Sequence, residues 1–295
     1  MAAPAPVTVD SPVDEPTPVV LVHGLRVSGA TLHRVAEAVA GSAAPGREVA
    51  TPDLPGHGAR RDETFSMSGA VDTVLTEIRR LGRPAVVAGM SMGGYVAMAV
   101  AGRHPEAVAA LVPMCATTQP SPLLAAPFET FGAVTAFLPR QAAIISQVAT
   151  RLAVGRQVSA DMEIGGLALG SIADVVAGIK RFDALGEIRR YPGRTVFVNG
   201  SQDQFRMHEQ RFVEAAQNGS LTVIPGASHL FPLIQPELAG RLIGEVAAAC
   251  DTAALGGSAE AAGGRPAEGR PIDPAEGRPN DPAEGRPVCV AELDT

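Results

Sequence analysis

Ala85-Val86-Val87-Ala88-Gly89-Met90-Ser91-Met92-Gly93-Gly94 is the stretch on which the reading of the fold turns. Its first four residues form a continuous apolar run, the pattern of a strand buried on both faces of a parallel sheet. Gly-x-Ser-x-Gly follows at once, and Tyr95 to Arg103 continues as a helix. Gly89 and Gly93 let a strand turn sharply into a helix without side-chain clashes, which holds Ser91 at the tip of the turn. Alone the motif is weak, since any small-residue turn can produce it; the strand before it and the helix after it give it weight.

Working outward, the same alternation recurs on both sides. Upstream, Pro18 to Val22 is an apolar run ending in His23-Gly24, and Thr31 to Ala40 has helical spacing with Thr31 as its expected N-cap. A brief strand at Glu48 to Thr51 leads into the turn-rich Asp53-Leu54-Pro55-Gly56-His57-Gly58. Ser68 to Leu81 reads as an amphipathic helix stopped by Gly82 and Pro84. Downstream, strands are expected at Val108 to Met114, Thr195 to Val198 and Leu221 to Ile224, and helices near Met207 to Ala216 and Pro236 to Cys250. Strands alternating with helices imply an α/β fold, a doubly wound and mostly parallel sheet covered on both faces.

Between 117 and 190 the alternation stops. Ala, Leu and Phe recur at helical spacing with Pro and Gly between them, so this stretch is expected to be a helical cap inserted between two strands of a core made of 18–116 and 191–250. Residues 1–17, rich in Pro, are expected to be a flexible leader. Beyond 250, Pro-Ala-Glu-Gly-Arg-Pro begins at Pro266, Pro274 and Pro282. Such a polar, Pro- and Gly-rich repeat cannot pack a core, so 251–295 is expected to be a disordered tail.

Composition narrows the function classes. A content of 46% hydrophobic residues supports a sizeable core, and with 4% aromatics and no Trp any pocket should be aliphatic rather than an aromatic cage. The net charge of −7 and the lack of a basic stripe speak against a nucleic-acid partner. Cys115, Cys250 and Cys289 are too few and scattered for a disulfide framework or a zinc site, and Cys115 reads as a small core residue. No apolar run approaches the roughly 18 residues that span a bilayer, and no signal-peptide pattern opens the chain. The expected setting is therefore soluble and cytoplasmic. No His/Asp/Glu group has metal-ligand spacing, so neither metal nor cofactor is called for.

A serine hydroxyl needs an adjacent base, and the base needs an orienting group. Of the six histidines, His33, His104 and His208 fall on or beside helices, His57 sits in the Pro-Gly loop, and His23 is best placed to brace its own loop. His229, in Gly226-Ala227-Ser228-His229 just after a strand, can swing over the sheet's C-terminal edge, where ligand sites of open α/β sheets gather. Asp203 follows the 195–198 strand at the same edge. The order Ser91, Asp203, His229 fits a triad on this fold. An oxyanion needs preorganised N–H donors; the N–H of Met92 at a helix start and that of Leu25 after His23-Gly24 are the expected pair.

Together, His23-Gly24, Asp53 to Gly58, Gly89 to Gly94, the Asn199 to Asp203 loop and Gly226 to His229 resemble the α/β-hydrolase superfamily, in its branch with a Gly-x-Ser-Met-Gly-Gly elbow. The resemblance spans about residues 18–250 and implies Ser91 as nucleophile, His229 as base, Asp203 as triad acid, and Leu25 with Met92 as oxyanion donors. Two departures stand out. Relatives carry one or two more strands before the first one here, and the position of Leu25 is often aromatic in them. The expected activity is cleavage of a small apolar ester, with Leu123, Leu124, Phe128, Phe131, Phe137 and Leu138 of the cap as pocket candidates. Thioester or carbon–carbon bond hydrolysis, cofactor-free haloperoxidase or perhydrolase chemistry, and lyase chemistry use the same residues; a receptor without turnover is the reading from outside enzymology.

Overall fold

The computed structural model describes residues 15–42, 46–137, 139–263 and 290–291. In chain order the elements are β1 (Val19–Val22), α1 (His33–Ala40), β2 (Val49–Ala50), α2 (Met67–Leu81), β3 (Ala85–Met90), α3 (Met92–Arg103) and β4 (Val108–Met114). Four helices follow: α4 (Pro122–Phe137), α5 (Pro139–Glu163), α6 (Ile172–Ile179) and α7 (Ala184–Arg190). The chain then returns through β5 (Arg194–Gly200), α8 (Glu209–Ala215), β6 (Asn218–Ile224), α9 (Phe231–Ile234), α10 (Pro236–Gly263) and β7 (Val290–Ala291).

The strands form one sheet in the order β2-β1-β3-β4-β5-β6-β7, and every pair is parallel. Both faces are covered, which is why β1 and β3 are apolar at every position. Val20, Val22 and Val87 point into one apolar layer with Val96 of α3 and Phe197. Val19, Leu21 and Val86 point into the other with Val35 of α1 and Ile243 of α10. This split follows from the two-residue period of a strand. Each such side chain contributes about 1.5–3 kcal/mol by leaving water.

The chain runs from β1 to β2 on one side and then to β3 on the other, so the order reverses between β1 and β3. At that switch point the loops at the strands' carboxyl ends part and leave a crevice. The register Val22↔Gly89 sets the end of β1 beside the turn that follows β3.

Several local expectations change. Thr31 is not a helix N-cap: it lies inside a 3-10 turn, Gly29–Leu32, where its Oγ1 accepts from the N–H of Ser28. Helix α2 starts one residue earlier than expected, because Ser66 Oγ accepts from Gly69 N–H and caps it. Gly82 closes the same helix in the left-handed conformation at φ 75°. Helix α10 runs to Gly263, through the expected tail boundary at 251. Ala-rich sequence favours that continuation, and Asp251 anchors it by accepting from Thr17 N–H at 2.7 Å and from Arg47 at 2.8 Å. The repeats beginning at Pro266, Pro274 and Pro282, and residues 1–14 of the leader, lie outside the described residues.

The helices between β4 and β5 divide by role. Helix α7 packs on α3, where Glu187 bonds Arg103 at 2.9 Å and Leu185 and Ile188 enter the core. Helices α4 and α6 pack on each other and stand over the carboxyl edge of the sheet. Among the described residues, no helix is long and apolar enough to cross a membrane.

Candidate active site

Ser91 sits between β3 and α3 at φ 54°, ψ −117°, a strained conformation for a residue with a side chain. Its N–H donates to Met114 O at 2.8 Å, and its carbonyl accepts from Gly94 N–H at 2.9 Å. The turn closes only because its flanking residues lack side chains. A methyl group at Gly89 would strike the Gly93 carbonyl, and one at Gly93 would strike the carbonyl oxygens of Val22 and His23. The loop at Gly24 lies beside this turn: a Cβ there would meet that of Ser91 at 3.7 Å, an ordinary contact.

Over this turn the fold brings together three side chains distant in sequence. His229 Nε2 lies 3.0 Å from Ser91 Oγ, and His229 Nδ1 lies 2.9 Å from Asp203 Oδ1. Since a carboxylate only accepts, Nδ1 carries the ring proton and Nε2 is free to accept from the serine. Asp203 Oδ1 also accepts from Phe205 N–H at 2.8 Å. Burial opposes the charge on Asp203 and is the largest influence on it. The bonds from His229 and Phe205 outweigh burial and hold the carboxyl below its usual range. A hydroxyl, an imidazole and a buried carboxylate in this chain of contacts can move a proton off the serine as it attacks a carbonyl.

Met92 is the first residue of α3 and Leu25 follows Gly24; both line the cavity beside Ser91. His23 does not take part in the contacts around Ser91. It is wholly buried, and its ring braces two loops, donating from Nδ1 to Gly24 O and accepting at Nε2 from Leu54 N–H at 3.1 Å. Burial, reinforced by the neighbouring His57, lowers its pKa to about 4. The Asp53 to Gly58 motif completes that brace. Asp53 accepts from Gly29 and Ala59 N–H groups at 2.8 Å each, and His57 Nε2 meets Ser171 Oγ at 3.2 Å.

A cavity of about 590 Å³ opens from Ser91 toward the helices. Leu124 and Phe128 of α4 and Val176 and Ile179 of α6 form its far wall. Among the described residues, Arg26 and Lys180 are the only Arg or Lys on the lining and no Asp or Glu joins them; Lys180 is paired with Glu129 at 2.9 Å. Of the pocket candidates read from the sequence, Leu124, Phe128 and Phe131 line this cavity. Leu123 and Phe137 do not: they are 83% and 88% exposed, because apolar residues lie on more than one side of α4 and only part of it can face inward. Of the Leu138 side chain nothing is described.

Two residues near His229 and Asp203 carry no motif. The Phe205 ring stacks obliquely on His229 with centroids 4.6 Å apart. Cys115, at the end of β4 with φ 55°, lines the cavity and lies against Asp203. Burial, and then the Asp203 carboxylate, push its thiol pKa far up. A positive φ has no side-chain signature, so the sequence holds no sign of this placement.

A family model described as the alpha/beta hydrolase family matches residues 19–239. The chain belongs to this family. This alpha/beta hydrolase is 45% identical over 67 residues to pimeloyl-[acyl-carrier protein] methyl ester esterase of Aromatoleum aromaticum, covering 23% of this chain and 26% of that one. It is 34% identical over 102 residues to lipase LipV of Mycobacterium tuberculosis, covering 33% and 36% of the two chains. The matched stretches thus span well under half of those curated relatives. Among solved structures, a thermophilic esterase from Thermogutta terrifontis superposes with a TM-score of 0.63 at 22% identity, covering 80% of this chain and 91% of that one. BpoC of Mycobacterium tuberculosis, named a putative non-heme bromoperoxidase, gives 0.64 at 21% identity over 79% and 92%. At such identities the two structures speak for the fold.

Proposed function

We propose that this alpha/beta hydrolase is a carboxylic ester hydrolase that works through an acyl-enzyme on Ser91. Ser91 Oγ attacks the ester carbonyl while His229 Nε2 takes its proton, and Asp203 holds the imidazole and offsets its charge. The N–H groups of Leu25 and Met92 receive the carbonyl oxygen as it becomes an oxyanion. His229 returns the proton to the departing alcohol, and water then releases the acid by the same route. Helices α4 to α6 serve as the cap, whose apolar wall holds the acyl or ring portion of the substrate.

The observation that carries this reading is the continuous contact from Ser91 Oγ through His229 to Asp203, at 3.0 and 2.9 Å, on the wall of an apolar cavity. Esterases and a lipase among the similar proteins support the ester class.

The test is a series of p-nitrophenyl esters together with a fluorophosphonate probe, applied to the wild type and Ser91→Ala. Ester turnover with labelling at Ser91 is expected, and Ser91→Ala should lose about 10⁶-fold in kcat, as removal of a triad serine does elsewhere. A folded wild-type protein that neither labels nor cleaves any ester would overturn the proposal.

A further inference from the structure

Asp203 leaves one buried atom without a partner. Its Oδ1 accepts from His229 and Phe205, but Oδ2 is buried and receives no hydrogen bond among the described residues. The thiol of Cys115 faces the carboxylate and, as a weak donor, helps hold its charge. A buried, unpaired carboxylate oxygen is costly and calls for a donor or a cation. Its residue belongs to a cluster: one ligand atom each from Cys115, Asp203 and His229, all within 4.8 Å of one another.

We infer that these three residues form a binding site for a thiophilic divalent cation of the Zn²⁺ type, and that the cation switches the triad off. The part about switching rests on the ester-hydrolase reading above; the binding does not. Tetrahedral zinc, with bonds of about 2.3 Å to sulfur and about 2.0–2.1 Å to nitrogen or oxygen, sets its ligands roughly 3.3–3.6 Å apart. A triangle no wider than 4.8 Å reaches that with side-chain movements of about an ångström or less. Thiolate and imidazole are the donors that zinc favours. Thiolate and carboxylate together cancel the ionic charge, so no net charge is buried. The cation has a route in, because Cys115 and His229 both line the cavity.

Inhibition follows from proton bookkeeping on one ring. When the cation takes His229 Nδ1, the ring proton moves to Nε2, and the thiol of Cys115 releases its own proton to solvent. Nε2–H then points at Ser91 Oγ, 3.0 Å away, as a donor. The serine keeps its proton and has no base. Nothing in the cavity needs to be blocked.

Two measurements decide the matter, both on the full chain with Cys250→Ser and Cys289→Ser, which leave Cys115 as the single thiol. In the first, Cd²⁺ is added to this protein carrying Ser91→Ala. A thiolate-to-cadmium charge-transfer absorption saturating at one equivalent is expected, and it should vanish in Cys115→Ser. Absence of that band, or its survival without Cys115, overturns the site. In the second, Zn²⁺ should slow ester turnover and fluorophosphonate labelling, with recovery on adding EDTA. Cys115→Ser, compared with its own metal-free rate, should need about tenfold more Zn²⁺ or beyond for the same inhibition. Equal sensitivity of the two proteins would place the ion elsewhere and overturn the switch. Cys115→Ala replaces Cys115→Ser should the latter not fold. The cadmium band is read in a protein unable to form an acyl-enzyme, so failure of the esterase reading leaves this result intact, and the reverse also holds.

Discussion

Around Ser91 the chain is packed so closely that one methyl group has nowhere to go, whereas in the helical insertion α4 and α5 leave large apolar side chains in water. At the elbow, a Cβ at Gly89 or Gly93 would run into backbone, and β1 and β3 are buried at every position. In the helical insertion, Leu123, Leu152 and Ile145 are 83%, 83% and 68% exposed, and Gly155 kinks α5 at φ 80°. The contrast is one of tolerance. A proton transfer of the kind proposed for Ser91 and His229 depends on tenths of an ångström, which over-determined elements around Ser91 would supply. A wall that holds an apolar group by contact alone can vary in shape and still do so.

The sharpest way to break the comparison is at the rim. Asp203→Asn keeps shape but removes the charge that fixes the His229 tautomer, and kcat should fall by on the order of 10⁴-fold, as at other such triads. Turnover of p-nitrophenyl butyrate within a few-fold of wild type would mean that the rim is not the reacting centre.

The next effect comes from beneath the rim. His23 has its pKa lowered to about 4 from 6.5, so between those values the unfolded chain binds a proton that the folded chain refuses. Its contribution is complete above pH 6.5 and is lost as pH falls toward 4, to a total of about 3 kcal/mol. Urea unfolding at pH 7 and pH 4.5 should show the wild type losing more stability than His23→Gln, which cannot titrate. Equal losses would remove His23 as the cause. A smaller contrast pairs Gly93→Ala with Leu123→Ser. The first forces a methyl against two carbonyls and should cost about 1–3 kcal/mol. The second changes an exposed site and should stay within about 0.5 kcal/mol. Similar urea midpoints for the two variants would erase the distinction between regions.

That distinction also explains what the sequence makes legible. Val19–Val22 and Ala85–Met90 announce themselves because a doubly covered strand needs apolar residues throughout. Ser91, Asp203 and His229 stand out as candidates because the elbow and the two loops after late strands carry short, position-bound patterns. Glycines at the elbow say where Ser91 sits, not how far His229 reaches; that distance comes from packing of β5, β6 and α9. In α4 apolar residues recur on several sides, so no period separates Phe128, which lines the cavity, from Phe137, which does not. Cys115 looked like core and is core; its nearness to Asp203 arises from β4 and β5 pairing side by side. The run of α10 past 250 depends on Asp251 gripping Arg47 and Thr17, partners more than 200 positions away.

The mildest expected change lies in the cavity wall, where it can sharpen the comparison. Phe128 of α4 lines the cavity and its ring lies 5.8 Å from that of Phe205, which in turn stacks on His229. Phe128→Ala removes wall without touching Ser91, His229 or Asp203. If the insertion holds the acyl group and the rim does the chemistry, short esters should be cleaved at nearly the wild-type kcat. KM for longer p-nitrophenyl esters should rise by roughly 10-fold, the scale of one or two lost apolar contacts. A fall in kcat for acetate and longer esters alike would show that Phe128 acts through Phe205 on the imidazole. In that case the cap and the rim are one mechanical unit, and the division of labour drawn from their packing is false.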